Sequence, residues 1–455
     1  MKWVLAAAIA IAVLATTLGP SAMGYDPWAW QVWARELLRF DLATAGGPSW
    51  KPLPVLVVAP FAQAGDLGPA VWQVIAQASA VVALVLAYRV AGRVAGVAAG
   101  LVAALGLAVS ADFFVTALRA YSEPMLIALA LAAIDLHLSQ RRSWALACLA
   151  LAGLLRPEVW VFLLVYGAFL LVTAGSPRER WLVVGLVVTP PVLWMGLDWL
   201  GSGDVLQSSD IARTSPSGSA AKADQPALTV FGRLADTVIL PILVLAVIAV
   251  VTAARRRMLE LLALASIVLV WTSIVAVMAE LGFTGRRRYL AVAAALLAVL
   301  AGRGFGLVLR AAARAGWSKA VGVAAALVIA GFAFAPARTD WRLLRLGREQ
   351  ERQLDELRAV VARAGGPGTV RDAPGVAINP FAQTALAWEI VAPLDEVQAA
   401  WTTRSVRLRP GALLFRAPAK LAGPRPRVGG ARVHRVARAG RWTVLEVKKG
   451  GRAPR

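Results

Sequence analysis

Long apolar runs broken by short charged loops fill the chain up to about residue 336; beyond it, apolar and charged residues mix closely. A bilayer core of about 30 Å takes roughly 20 mostly apolar residues per helix. On that basis the runs predict about eleven spans, near 3–22, 70–88, 94–110, 122–138, 143–155, 158–174, 181–200, 235–253, 259–280, 289–302 and 317–336. The fifth and tenth are short, and the fifth and sixth are candidates for a broken or re-entrant pair. The pattern reads as a mainly α, polytopic membrane domain over 1–336 and a small α/β domain over 337–455. The first run is read as a retained span and not a cleaved signal peptide, because its apolar stretch is long and many further spans follow.

Arginines set the orientation. Arg89 and Arg93, Arg141 and Arg142, Arg178 and Arg180, Arg255 to Arg257, and Arg303, Arg310 and Arg314 all follow even-numbered spans. With alternating spans they share one side with Lys2, and cytoplasmic loops are the ones enriched in Lys and Arg. The loops 23–69, 111–121, 156–157, 201–234 and 281–288 are then expected outside, with the C-terminal domain extracytoplasmic. Loop 201–234 is rich in Ser, Gly and Asp and reads as a flexible external loop that substrate could order.

The first external loop stands apart. Its stretch Tyr25–Pro54 reads YDPWAWQVWARELLRFDLATAGGPSWKPLP. Asp26 is placed to cap a helix whose first turn holds Pro27. Trp28, Trp30, Trp33, Leu37 and Leu38 form the apolar side of a segment expected to lie in the membrane interface. A carboxylate at a membrane surface can also take a proton from an attacking hydroxyl. Lys51, in a Pro-flanked turn, offers one ammonium to a lipid phosphate or simply reaches the headgroups.

After residue 336 the chain holds 23 Lys and Arg against 10 Asp and Glu. Residues 340–364 carry apolar side chains at helical spacing, and Gly365-Gly366-Pro367-Gly368 should stop that helix. Strands are expected at Gly368–Arg371, Ala412–Arg416 and Trp442–Val447, with a helix near Pro380–Ile390. The basic surface suits anionic lipid or an envelope polymer, or is a solvated face.

Composition supports the membrane reading: 59% of the 455 residues are hydrophobic and 16% charged, against about 25% charged in soluble domains. A net charge of +22 would suit nucleic acid, but loop cations beside membrane spans account for it. One cysteine, Cys148, leaves no intramolecular disulfide, and His137 and His434 are too far apart in sequence to suggest a His-rich metal site. Walker, Rossmann, HExxH and GxSxG motifs are absent from the sequence. A transferase working outside would therefore draw on a lipid-linked donor.

The candidate chemistry gathers at outer span ends. Arg119 and Glu123, four residues apart, would share a face if helical. Arg156 lies in Leu155-Arg156-Pro157-Glu158, where its guanidinium suits bidentate phosphate binding and Glu158 can open the next helix. Arg286, Arg287 and Arg288 precede Tyr289 at the start of the tenth run, where three cations at a helix N-terminus call for an anion.

The motifs DPWAW, SWKPLPVL, RAYSEP, LRPE and RRRYL, within this architecture, resemble the GT-C superfamily of polytopic glycosyltransferases. The resemblance implies an integral membrane enzyme that moves a sugar from a polyprenyl-phosphate donor to a lipid or polysaccharide acceptor of the cell envelope, on the outer face. Asp26 is then the catalytic base. Lys51, Arg119, Arg156, Arg287 and Arg288 hold the donor phosphate, and Glu123, Glu158 and Tyr289 support them. Many members carry an acidic pair in the first loop, whereas here Asp26 is followed by Pro27. No residue is assigned as a metal ligand, and a divalent metal is the one cofactor the resemblance admits. Two rival readings use the same cations without chemistry: a transporter or flippase of a lipid-linked anionic intermediate, and a non-catalytic envelope assembly protein.

Overall fold

The computed structural model describes residues 2–20, 22–214, 218–399, 405–406, 408–428 and 432–448. In chain order its helices are α1 (Lys2–Leu18), α2 (Tyr25–Leu38), α3 (Pro52–Val58), α4 (Leu67–Ala95), α5 (Val97–Ala108), α6 (Phe113–Leu118), α7 (Glu123–Leu138), α8 (Arg142–Gly153), α9 (Val159–Thr173), α10 (Pro177–Ser202), α11 (Gln207–Arg213), α12 (Pro226–Ala235), α13 (Leu240–Arg256), α14 (Leu259–Glu280), α15 (Ala291–Arg314), α16 (Ser318–Arg363), α17 (Gly366–Arg371), α18 (Gln383–Glu389) and α19 (Ala419–Ala422). The strands are β1 (Val376–Ile378), β2 (Val397–Ala399), β3 (Ser405–Val406), β4 (Leu413–Arg416), β5 (Arg427–Val428), β6 (Arg432–Ala439) and β7 (Trp442–Lys448). The chain divides into two compact units, each assembled from distant stretches: Met1–Leu18, Val74–Met195 and Ser209–Leu344 in the first, Gly19–Gln73, Gly196–Ser208 and Arg345–Arg455 in the second.

A helix stands at each of the eleven predicted places. Four of them are long and apolar enough to cross a membrane: Leu67–Arg93, Pro177–Ser202, Leu259–Glu280 and Arg287–Arg314. These place the chain in a membrane. Pro226–Ala235 and Leu240–Arg256, bent by 101°, make a fifth if counted as one broken span. This bent pair is not the one expected, between the fifth and sixth runs, which form the separate helices α8 and α9. Among the described residues the other predicted places hold shorter apolar helices, so these residues do not establish eleven full spans. The 12 residues of α5 rise only about 18 Å, well under the thickness of a bilayer core.

In the first unit α15 is the central helix. It is buried from Val292 to Gly306 and packs against α5, α13 and α14. Close approach depends on glycine. A Cβ at Gly302 would fall on the Ala99 carbonyl oxygen, and one at Gly304 on that of Leu245. A smaller apolar cluster joins α8, α9 and α10 through Leu146, Leu163, Leu170 and Val183.

In the second unit α2 is the buried element. Trp28 is nearly buried, and Trp30 and Trp33 are completely so. The rings expected at a lipid interface face protein instead: Trp30 meets Trp72, Trp33 meets Trp50, and Trp28 meets Trp388. Only at its end does the segment expose apolar side chains, Leu38 and Phe40.

The same unit holds a five-stranded sheet in the order β2-β1-β4-β7-β6. β1 pairs in parallel with β2 and β4; β7 runs antiparallel to β4 and β6. Trp442 and Val444 of β7 are buried, and the indole of Trp442 donates to the Gln353 carbonyl of α16. The expected strands near Ala412–Arg416 and Trp442–Val447, and the helix near Pro380–Ile390, are present. Gly368–Arg371, expected as strand, is helical: Gly365 at φ +105° turns the chain and Pro367 sits in the first turn of α17. The composition change near residue 337 leaves α16 unbroken over its 46 residues. The 201–234 loop, expected to be flexible, contains α11 and α12.

Candidate active site

The first unit assembles the charged residues that end its helices. Asp112 (φ +67°) and Ala120 (φ +55°) both adopt left-handed backbone and bracket α6, a conformation non-glycine residues occupy only when the surroundings enforce it. Arg119 consequently closes α6 and Glu123 opens α7, so the two do not share a helix face as the spacing suggests.

Glu123 points into the protein and is 1% exposed. Arg156, from the turn between α8 and α9, donates from Nη2 to Glu123 Oε1 at 2.6 Å, and its Nη1 lies 3.6 Å from Glu158 Oε1. Its guanidinium also stands 4.1 Å from the centre of the Tyr289 ring. Burial alone favours loss of the Arg156 charge, but Glu158 and Glu123 outweigh it and hold the group above its ordinary pKa.

Arg288 completes the cluster. Its Nε is 4.0 Å from Glu123 Oε1, and its guanidinium faces the rings of Tyr121 (5.0 Å) and Tyr289 (5.7 Å). The backbone of this turn is fixed from behind: Trp271 donates to the Tyr289 carbonyl at 2.8 Å, and Arg233 to that of Gly285 at 2.7 Å. Arg287 is nearly half exposed and lies 3.5 Å from Asp112. The Arg119 amide donates to the Val115 carbonyl at 2.9 Å, closing α6.

The structure thus brings Glu123, Arg156, Glu158, Arg288 and Tyr289 into one network, with Arg287 beside it in sequence. Arg156 is spent on two carboxylates inside protein, whereas Arg287 and Arg288 retain exposed surface. Tyr121 and Arg233 were not singled out from the sequence. An aromatic residue inside the charged motif RAYSEP was the available signal for Tyr121; Arg233 offered none.

Asp26 and Lys51 belong to the second unit. Asp26 is buried in the first turn of α2, and the N-cap is Gly24, not Asp26. The turn therefore carries the carboxylate one step inside the helix start, where the helix dipole still favours its charge. Tyr25 beside it donates its hydroxyl to Gln383 Oε1, and Gln383 donates to the carbonyls of Leu394 and Val397. Lys51 precedes α3 and its ammonium lies 5.5 Å from the centre of the Trp30 ring.

Glu36, near the end of α2, was not singled out either. Its Oε2 accepts the Ala43 amide at 3.0 Å, while its buried Oε1 has no partner among the described residues. Burial raises its pKa to about 7; the Ala43 hydrogen bond pulls the other way.

Among the described residues no group of three or more His, Cys, Asp or Glu side chains is placed to hold a metal ion. In the first unit Glu123, Glu158 and Asp112 are turned onto guanidinium groups.

Known structures share this architecture. ArnT from Cupriavidus metallidurans, crystallised bound to undecaprenyl phosphate, matches 98% of this chain with 98% of its own, at a TM-score of 0.56 and 15% identity. Its apo form matches at a TM-score of 0.55, also at 15% identity, over 98% of this chain and 97% of its own. The Archaeoglobus fulgidus oligosaccharyltransferase, crystallised with Zn and sulfate, matches 86% of this chain with 61% of its own at 14% identity, but its TM-score of 0.49 is too low to carry a conclusion. No protein-family model and no curated protein sequence matches the chain. At this identity the ArnT likeness is one of fold alone.

Proposed function

We propose that the protein is a membrane glycosyltransferase that takes a sugar from a polyprenyl-phosphate donor and passes it to a hydroxyl of a cell-envelope acceptor on the outer face. The observation that carries the reading is a fold shared over nearly the whole chain with ArnT, a protein crystallised with undecaprenyl phosphate. A cluster of arginines and tyrosines at helix ends, suited to an anionic lipid headgroup, supports it.

In this reading the Asp26 carboxylate takes the proton of the acceptor hydroxyl. The acceptor oxygen attacks the anomeric carbon, and the bond from that carbon to the phosphate oxygen breaks with inversion. The lipid phosphate leaves with the electron pair. Lys51, in the same unit as Asp26, stabilises its growing charge, usually the largest catalytic contribution. Within the first unit Arg119, Arg287 and Arg288 offer cations to an anionic lipid headgroup, and Arg156 serves them indirectly by bracing Tyr289 and neutralising Glu123 and Glu158. No step uses a metal.

Purified protein in lipid nanodiscs, given labelled polyprenyl-phosphate sugar and membrane-extracted acceptors, tests this. Transfer is expected, with a loss of about 10²–10⁴-fold in Asp26→Asn, the usual worth of a general base. Transfer undiminished in that variant removes Asp26 from its role. No transfer, with translocation of the lipid-linked sugar across vesicles, replaces the transferase by a flippase.

A further inference from the structure

Within the second unit, a buried carboxylate outside the charged clusters holds together two stretches far apart in sequence. Asp198, in the last turn of α10, is completely buried. Its Oδ1 accepts the Thr44 hydroxyl at 2.9 Å, and its Oδ2 accepts the Ser208 amide at 2.8 Å. Ser208 passes the link on: its hydroxyl accepts the Trp50 amide at 3.0 Å and its carbonyl accepts the Ser49 hydroxyl at 3.0 Å. The Thr44 amide donates to the Gly201 carbonyl at 3.0 Å. Any side chain at Gly201 would meet Thr44, since a Cβ there falls 2.8 Å from the Thr44 methyl. Thr44, Trp50 and Ser208 are all buried.

All of these bonds but the one from the Ser208 amide to Asp198 end on the stretch Thr44–Trp50, and the next residue is Lys51. Trp50 is further fixed by an edge contact with Trp33, 5.3 Å between ring centres. A turn containing Gly46, Gly47 and Pro48 has little rigidity of its own. Beside packing on Leu394 and Trp33, it is held by hydrogen bonds to one carboxylate and to the serine that carboxylate holds.

We propose that Asp198 is a positioning residue for Lys51, fixing the turn that carries this ammonium through Thr44, Ser208 and Trp50. What Lys51 binds rests on the lipid-phosphate reading above; the positioning role does not. The chemistry of the site separates geometry from charge. An asparagine at 198 can turn its oxygen to the Ser208 amide and its NH₂ to Thr44 Oγ1. The Thr44 hydroxyl proton then goes to the Asp198 carbonyl oxygen, already 3.3 Å away. Asp198→Asn should preserve the turn, and Asp198→Ala should release it.

The test uses the full chain in nanodiscs with two readouts: the rate of Lys51 modification by an amine-reactive reagent, followed by mass spectrometry, and the equilibrium affinity for undecaprenyl phosphate. Asp198→Ala should speed Lys51 modification and weaken the lipid phosphate, each by roughly tenfold, as expected for losing hydrogen bonds to a buried charge. Ser208→Ala, which removes the Trp50 acceptor and the serine hydroxyl's bond to Asp198 but leaves the Ser208 amide in place, should do the same by about two- to fivefold. Asp198→Asn and the exposed control Asp210→Asn should match the parent. Unchanged Lys51 modification in both alanine variants overturns the proposal, as does an Asp198→Asn variant as impaired as Asp198→Ala. Faster modification with no change in lipid affinity in any variant, Lys51→Met included, keeps the positioning role and refutes the lipid-phosphate reading.

Discussion

The guanidinium of Arg35 lies 3.9 Å from the centre of the Trp388 ring and donates to the carbonyls of Trp388 and Ala387, at 3.1 and 3.4 Å. The two residues stand 353 positions apart, one on the helix that carries Asp26, the other on α18. Nearby, Trp28 meets the same indole and Tyr25 reaches Gln383. The C-terminal sheet region thus serves as the seat of α2.

Arg35→Ala removes a buried guanidinium, its ring contact and two hydrogen bonds together. A loss of about 2–4 kcal/mol is expected, read as a lowered unfolding midpoint in detergent. Arg35→Lys should recover only part of it, because an ammonium lacks the planar fork that spans two carbonyls and a ring.

Glu36 makes stability depend on pH. Burial lifts its pKa in the folded protein to about 7, above the ordinary 4.5, with Asp395 and Asp41 adding to the rise and the Ala43 amide and Arg35 opposing it. The folded state then binds this proton more tightly than the unfolded chain. Its contribution is fully present below pH 4.5 and lost as pH rises through about 7. A span of that width corresponds to about 3 kcal/mol at most. The unfolding midpoint should fall across this window, and Glu36→Gln should flatten the fall.

Buried charge in the first unit is balanced within a narrow circle. Among the described ion pairs, Glu123→Gln leaves Arg156 with Glu158 and takes one carboxylate from beside Arg288. Breaking a buried pair costs about 3–5 kcal/mol, visible as lost thermal stability. The double variant Glu123→Leu/Arg156→Leu should be less damaged than the sum of its parts, since neither partner is then left buried alone.

Two glycines make a paired test of packing. Gly304→Ala drives a methyl onto the Leu245 carbonyl and should cost about 1–3 kcal/mol or more. Gly232→Ala, on an exposed face of α12 with open space around it, should stabilise by about 0.4–1 kcal/mol through the unfolded chain.

The positions of the membrane helices were legible because length and apolarity govern them locally. Their completeness was not: the charged residues that truncate α7, α8 and α9 look like ordinary span ends until Glu123, Arg156 and Glu158 are seen to meet. The burial of Trp30 and Trp33 was hidden for a different reason. An aromatic stripe reads the same whether lipid or protein covers it, and nothing local in the sequence marks Trp72 and Trp50 as the rings that meet Trp30 and Trp33. β1 and β2, of three residues each, are too short to show a period, and the arginines of β6, at every third position (Arg432, Arg435 and Arg438), do not follow a strand's alternation. Asp198 did leave a trace, a lone acid at the end of an apolar run, the kind of group that needs a reason to be there.

The glycines of α15 also limit what can move. Gly302 faces Ala99 and Gly304 faces Leu245, while Arg303 and Phe305 stand between and beyond them. Sliding or turning this helix by a single residue would drive an arginine or a phenylalanine into a space that does not admit one methyl group. Within its unit α15 is therefore a fixed post, and any rearrangement that accompanies a bound lipid has to be carried by the helices around it.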